Sequence, residues 1–311
     1  MIYTLTLNPA IDQMISTKNF TLDATNKAIE QYQILGGKGI NVSVMLKHLG
    51  FNNTALGFMG KDYHHQFETY LAKEKVNNDF HIVPGQVRIN LKIKDLNNNQ
   101  ETELNCLGFS VNQTDEKAIL TLLKKHLKKD DFLMIAGSIA SGANNCLYQS
   151  IAEFCFKQKI AFAIDTTKVN LIPTLQYRPL LIKPNLAELN EIFNTNYHFD
   201  NQKAVIELGQ KLLAQGAQNV LISNGKEGSI LVTATKGNYF ANAASGNLIN
   251  SVGAGDSMVA GFLATYLETT DPKISLQIAT AAGAATAFSQ GIGDLSLVNK
   301  LKNQIKVVII N

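Results

Sequence analysis

Apolar and polar positions alternate along the chain with two periods. From position 250 it reads Asn250-Ser251-Val252-Gly253-Ala254-Gly255-Asp256-Ser257, then places apolar residues at Met258, Val259, Phe262, Leu263, Tyr266 and Leu267. That spacing predicts a helix with one buried face, entered from a glycine turn. A second glycine turn, Gly36-Gly37-Lys38-Gly39, leads into Ile40-Asn41 and a helix with apolar Val42, Met45, Leu46 and Leu49, closed by Lys47, His48 and Gly50. Residues 87–95 alternate strictly: Arg88, Asn90, Lys92 and Lys94 share one face, and Ile89, Leu91 and Ile93 the other. With a turn at Asn97-Asn98-Asn99-Gln100 and a return over 101–107, they predict an antiparallel hairpin whose polar face is either solvated or closed over an anion.

Strands are further predicted over 2–8 and 29–35, with Asp12 in a polar stretch between them. From 115 onward helices over 116–128, 147–157, 186–193 and 203–215 alternate with short apolar strands over 132–136, 160–164, 179–182 and 219–222. These strands end in Gly137-Ser138, Asp165-Thr166-Thr167, Lys183-Pro184-Asn185 and Ser223-Asn224-Gly225. The pattern predicts an α/β fold: a mostly parallel sheet with helices on both faces and a ligand crevice at the carboxyl ends of the strands. The Ala- and Gly-rich segment 276–288 predicts a closely packed helix, against another helix or a flat ligand such as adenine.

The candidate chemistry gathers at those ends. A glycine turn feeding a helix N-terminus offers free N–H donors and the positive end of a dipole, which suits a phosphate. Asp256 adds a carboxylate at the same spot. It either caps the helix or accepts a proton from a substrate hydroxyl beside the transferring group. The turn around Lys38, followed by Asn41, fits either a tight connection or a cluster of phosphate and sugar hydroxyls. Asn185 and Glu188, three residues apart, fit a helix cap or a hydrated Mg²⁺. Ser223, Gly225 and Gly228 lie in a third turn, between strand-like runs, that reads alone as a hairpin.

The 311 residues carry a formal net charge of +3, too little to argue for a nucleic-acid or membrane surface. Cys106, Cys146 and Cys155 form no CxxC pair and read as reduced thiols of a cytoplasmic protein. The N-terminus lacks a signal-peptide pattern, and no apolar run approaches bilayer length. His64-His65 reads as surface, with no carboxylate at ligand spacing. There is no G-x-x-x-x-G-K-[ST] motif, and Gly253-x-Gly255 lacks the third glycine of a dinucleotide fingerprint.

From Thr6-Leu7-Asn8-Pro9-Ala10-Ile11-Asp12 to at least Gly293 the chain resembles the ribokinase-like, PfkB-type carbohydrate kinases. Gly36-Gly37-Lys38-Gly39-Ile40-Asn41 and Val252-Gly253-Ala254-Gly255-Asp256-Ser257 look like the two signatures of that family, in order and separation. The resemblance implies a single kinase domain over 1–311, a three-layer sandwich with a small β lid inserted from about 10–35 and 87–108. It also implies ATP and Mg²⁺ as cofactors. It looks closest to the branch with 1-phosphofructokinase and tagatose-6-phosphate kinase, acting on sugars that already carry a phosphate. Arg88-Ile89-Asn90-Leu91-Lys92-Ile93 resembles the 1-phosphofructokinase lid strand, whereas tagatose-6-phosphate kinases tend to carry cysteine at the position of Asn90. A non-catalytic sugar-phosphate- or nucleotide-binding regulator is the alternative of another class, disfavoured by the intact Asp256 turn.

The roles implied by the resemblance follow position by position. Asp256 would be the base, with Gly253, Ala254 and Gly255 as the anion hole. Asp12, Gly37, Asn41 and Asn90 would face the sugar, with Ser138. Lys38 and Arg88 would hold its phosphate, with Lys27 as a third cation where the family carries arginine. Lys183, Asn185, Ser223, Gly225, Gly228 and Gly255 would meet ATP, and Asn185 and Glu188 the Mg²⁺, through water. An aspartate of ordinary pKa would suffice at 256. Ser138-Ile139-Ala140-Ser141-Gly142 replaces a Ser-Leu-Pro-Pro-Gly-like turn, which predicts a looser loop. A homodimer through the lid is expected.

Overall fold

The structure, a computed structural model, describes residues 1–310. The chain opens with β1 (Ile2–Thr6), leaves the core for β2 (Ala10–Thr17) and β3 (Glu30–Gly36), and returns through α1 (Lys38–His48), β4 (Asn53–Gly60), α2 (His64–Lys73) and β5 (Asn77–Val83). It leaves again for β6 (Arg88–Asp95) and β7 (Gln100–Leu104). The rest builds the core: α3 (Gln113–His126), β8 (Phe132–Ala136), α4 (Leu147–Gln158), β9 (Ala161–Asp165), α5 (Lys168–Leu171), β10 (Leu181–Ile182), α6 (Leu186–Phe193), α7 (Gln202–Ala214), β11 (Asn219–Ser223), β12 (Ser229–Thr233), β13 (Asn238–Ala241), α8 (Ala254–Thr269), α9 (Pro272–Ala287), α10 (Leu295–Lys302) and β14 (Val307–Ile310).

Ten strands form one sheet in the order β14-β13-β12-β11-β10-β9-β8-β1-β4-β5. Strands from β5 to β11 in that order run parallel, and β12, β13 and β14 extend one edge antiparallel. Successive residues of a central strand serve two layers. Val220 and Ile222 of β11 join the core under Val205, Leu208 and Leu212 of α7, whereas Leu221 joins the core under Phe262 of α8 and Leu276 of α9. Both faces are therefore buried, which is why these strands read as short unbroken apolar runs. The architecture is the expected three-layer α/β sandwich.

Winding reverses between β1 and β8. From β1 the sheet grows outward through β4 to β5, and then restarts at β8 on the other side. In open α/β sheets the crevice at such a reversal receives ligands. Because the strands from β1 to β11 point the same way, Asn8, Ser138, Asp165, Lys183 and Ser223 all emerge at that one edge of the sheet.

A second sheet, β3-β2-β6-β7, forms the lid. β6 and β7 make the expected antiparallel hairpin, but β6 also pairs with β2 in parallel. The strand over 10–17 was hidden as a polar stretch because its alternation is mixed, Asp12, Met14 and Ser16 facing one way and Ile11 and Ile15 the other. Pairing puts Asp12 beside Asn90, Met14 beside Lys92 and Ser16 beside Lys94, so these share one face. That face is not uniformly open, since buried Lys92 is paired with Glu103 at 2.6 Å. The periodicity also leaves out β4, β5 and the antiparallel edge β13–β14, whose places depend on neighbours distant in sequence. The missing prolines near Ser138 do not leave that loop untied. Val111 N and Ser110 Oγ both donate to the Ser141 carbonyl, at 2.8 and 3.1 Å.

Candidate active site

α1 and α8 pack side by side, and their N-termini open toward the same crevice. Gly253 caps α8 with φ +79°, a left-handed conformation that favours glycine. A side chain there would also meet Ile292 and Asn41. Asp256, in the first turn, is only 6% exposed. Asn41 Nδ2 of α1 donates to its Oδ2 at 2.8 Å, so the two glycine turns meet at one carboxylate.

Asp256 does not keep an ordinary pKa. Burial raises it to about 6, with nearby Asp165 adding to the rise, while Lys38, Lys183 and the Asn41 hydrogen bond pull against it. Asp165, at the carboxyl end of β9, is a second buried acid of the crevice, alongside Asp12 on the lid. Its Oδ1 and Oδ2 each lie 3.2 Å from Lys38 Nζ, and Oδ2 lies 3.7 Å from Lys183 Nζ. Burial opposes its ionisation, but Lys183 and Lys38 outweigh burial and hold it below the usual carboxylate range. Lys183 reaches the start of α8: a Cβ on Gly255 would lie 3.1 Å from its Nζ.

On the lid side, Arg88 stands over the reversal. Its Nη2 donates to the Asn8 carbonyl at 3.3 Å, and its buried Nε has no partner among the described residues. Asn8 Nδ2 donates to Ser138 Oγ at 3.1 Å. Burial lowers the Arg88 pKa, and Asp12 opposes that. Asn90 has both ends of its amide engaged: Nδ2 donates to Asp12 Oδ1 at 2.9 Å, and Oδ1 accepts from Cys106 N at 3.3 Å. At 5% exposure it lies beside Asp12, itself 7% exposed, on the same face of the lid and holds that carboxylate in place. Gly37 is the N-cap of α1.

Asn185 and Glu188 form a reciprocal cap on α6, each side chain accepting from the other's backbone N–H at 2.8 Å. The cap leaves Glu188 Oε1 uncommitted, and the Glu188 charge acts on Lys38. Beside them lies a cavity of about 660 Å³, whose walls include Ser223, Gly225, Gly228, Ala254, Gly283 and Phe288. The Ala/Gly-rich segment is α9, and it packs on α8 while presenting Gly283 and Ala284 to this cavity.

Two expectations fail on geometry. Lys27 lies in the exposed loop past the Ser16–Glu30 end of the lid, whereas the lid meets the crevice at its Ala10–Gly36 end, so this protomer does not bring Lys27 to the site. His64 and His65 do have a carboxylate at ligand spacing, because one helical turn brings Glu68 Oε2 to 3.3 Å from a ring nitrogen of each. They sit on α2 beside edge strand β5, far along the sheet from the cavity.

Residues 5–298 match the pfkB family carbohydrate kinase family. The chain belongs to that family. This pfkB-family kinase is 37% identical over 307 residues to 1-phosphofructokinase of Bacillus subtilis, covering 99% of each chain. It is 34% identical over 307 residues to D-tagatose-1-phosphate kinase of Bacillus licheniformis, again covering 99% of each. Its fold is that of phosphofructokinase-2 from Escherichia coli, with a TM-score of 0.90 at 24% identity over 97% of this chain and 98% of that one. It is thus a phosphotransferase. Among the described residues no helix is long and apolar enough to cross a membrane.

Proposed function

We propose that this kinase transfers the terminal phosphoryl group of ATP to the free primary hydroxyl of fructose 1-phosphate, giving fructose 1,6-bisphosphate. One observation carries the reading. Asp256 is buried at the seam between two differently built halves of the crevice, tied by Asn41 on the sugar side and two residues from Ala254 on the wall of the apolar cavity.

Adenine fits against Gly283, Ala284 and Phe288, with the phosphates running past Ser223, Gly225 and Gly228 toward Lys183. Arg88 and Ser138 hold the phosphate already on the sugar, and the orphaned Arg88 Nε is the donor that such an anion would satisfy. Asp12 and Asn41 take sugar hydroxyls. The acceptor hydroxyl then lies between Asp256 and the phosphorus, and Asp256 accepts its proton as the new P–O bond forms and the bond to ADP breaks. The N–H groups of Gly253, Ala254 and Gly255 face the phosphoryl oxygens at the positive end of α8. Asp165, Asn185 and Glu188 are hard oxygen donors suited to a hydrated Mg²⁺, directly or through water. The ion neutralises phosphate charge when bound.

The choice of fructose rests on Asn90 and on the relatives named 1-phosphofructokinase. The relative named D-tagatose-1-phosphate kinase supports a second reading, a tagatose phosphate. Steady-state kcat/KM on fructose 1-phosphate, D-tagatose 1-phosphate, tagatose 6-phosphate and fructose 6-phosphate separates them. Fructose 1-phosphate should lead by about tenfold or more, a pocket difference of about 1.4 kcal/mol. A lead for either tagatose ester would overturn the fructose assignment.

The free thiols of Cys106, Cys146 and Cys155 and the use of ATP suit the cytoplasm. The lid's other face carries Ile15, Leu91, Ile93 and Leu104, with Leu104 57% exposed, and it fits a second lid in a homodimer. Sedimentation velocity should find a dimer, and a monomer at tens of micromolar would remove this interface.

A further inference from the structure

We propose that Lys38 is a catalytic cation that grips the phosphoryl group in transit, and is not part of the hold on the phosphate the sugar already carries. This rests on the kinase reading above. Position along the sheet is the first argument. The crevice follows β1, β8, β9, β10 and β11 in order, with Arg88 on Asn8 after β1, Ser138 after β8, Asp165 after β9, Lys183 after β10 and Ser223 after β11. Strands sit about 4.8 Å apart, so this series spans about 19 Å from sugar phosphate to nucleotide. Lys38 is anchored on Asp165, the middle station, where its Nζ lies 3.2 Å from both carboxylate oxygens. The group that must pass from one half to the other crosses there.

The surrounding charges point the same way. Burial works against the Lys38 cation, yet Asp165, Asp256 and Glu188 together hold its pKa above the usual lysine value. Lys38 and Lys183 share the carboxylate of Asp165, and Lys183 Nζ already sits against the Gly255 backbone. The two ammonium groups therefore gather at Asp165, with Lys183 reaching on to the start of α8. Negative charge spreads over the equatorial oxygens during transfer, and cations already fixed at that place stabilise it most. Before substrates arrive, Asp165 keeps Lys38 from pairing with Asp256, a contact that would weaken the base. When phosphates enter, Lys38 exchanges a carboxylate oxygen for a phosphoryl oxygen, and no proton moves.

Lys38→Met should lower kcat with ATP and fructose 1-phosphate by about 10²- to 10³-fold, while KM for the sugar phosphate stays within about threefold. Lys38→Arg should recover part of kcat. A rise of KM by tenfold or more with kcat retained would overturn the proposal and return Lys38 to the sugar phosphate. A crystal complex of the wild-type chain with ADP, aluminium fluoride and fructose 1-phosphate gives an answer independent of any variant's folding. Lys38 Nζ within hydrogen-bond reach of the fluorides supports the proposal. Nζ on the sugar phosphate, or still paired with Asp165 alone, overturns it. Wild-type protein with no turnover on any sugar phosphate would defeat the kinase reading itself.

Discussion

Asp256→Asn is expected to lower kcat by about 10³- to 10⁴-fold while leaving ADP affinity within about threefold. The two side chains have nearly the same shape, so the first turn of α8 and the cavity lined by Ala254 stay as they are. What disappears is the proton acceptor. Comparable turnover in the variant would remove Asp256 as the base. The pH profile sharpens the test. Asp256 accepts a proton only when ionised, and burial sets its pKa at about 6. In the wild-type enzyme kcat/KM should fall about tenfold per pH unit below that value and level off above it; the residual rate of the variant should lack this limb.

The same substitution should stabilise the fold at neutral pH. A carboxyl whose folded pKa is raised from 3.8 to about 6 disfavours folding once ionised. That cost, on the order of 2–3 kcal/mol, is full above about pH 6 and vanishes below about pH 4. Urea midpoints for both proteins at pH 7 and pH 4 check the sign: Asp256→Asn should gain at pH 7 and little at pH 4. Activity lost and stability gained from one atom exchange marks a residue kept for chemistry.

The second large effect is expected at Arg88. Arg88→Met should raise KM for the sugar phosphate by about 30- to 150-fold, corresponding to about 2–3 kcal/mol for a charge-assisted contact, with kcat within a few-fold. Its guanidinium spends one 3.3 Å hydrogen bond on Asn8 and leaves Nε unpartnered inside the protein. An unsatisfied buried donor on a cation is costly unless an anion completes it. KM for ATP should not move, because the cavity proposed for the nucleotide lies four strands away at β11. If KM for ATP rose and that for the sugar phosphate did not, the two ends of the crevice would have to be exchanged.

Much of the fold was legible because local periodicity reflects burial. The helix over 186–193 coincides with α6, and the strand over 132–136 with β8. β2 carries no clean period, because Met14 falls among polar residues on one face and Gln13 and Thr17 among the isoleucines on the other. The site was legible in part. The turns at Gly37 and Gly253 stand out because each sets glycines beside a charged residue, Lys38 or Asp256, at the start of a helix, where free N–H donors favour an anion. Asp165 was invisible as a site residue: an acid at a strand end carries no mark of what faces it. Asn90 was legible as polar, but only its two hydrogen bonds reveal that it steadies Asp12. The family resemblance implied Lys27 as a third cation, but it lies in the exposed loop at the far end of the lid in this protomer.

By itself the sequence determined the layered α/β class, the two glycine-entered helices and the chemistry available at the strand ends, because each depends on residues within a turn or two of one another. Only the tertiary structure decided that Asn41 and Asp256, 215 positions apart, share a hydrogen bond, that Asp165 holds Lys38 and Lys183 together, and that the carboxyl of Asp256 is pushed to about pKa 6. The physical reason is that pairing and desolvation depend on distance and on the exclusion of water, and those are set by which strands lie side by side and not by which residues follow one another.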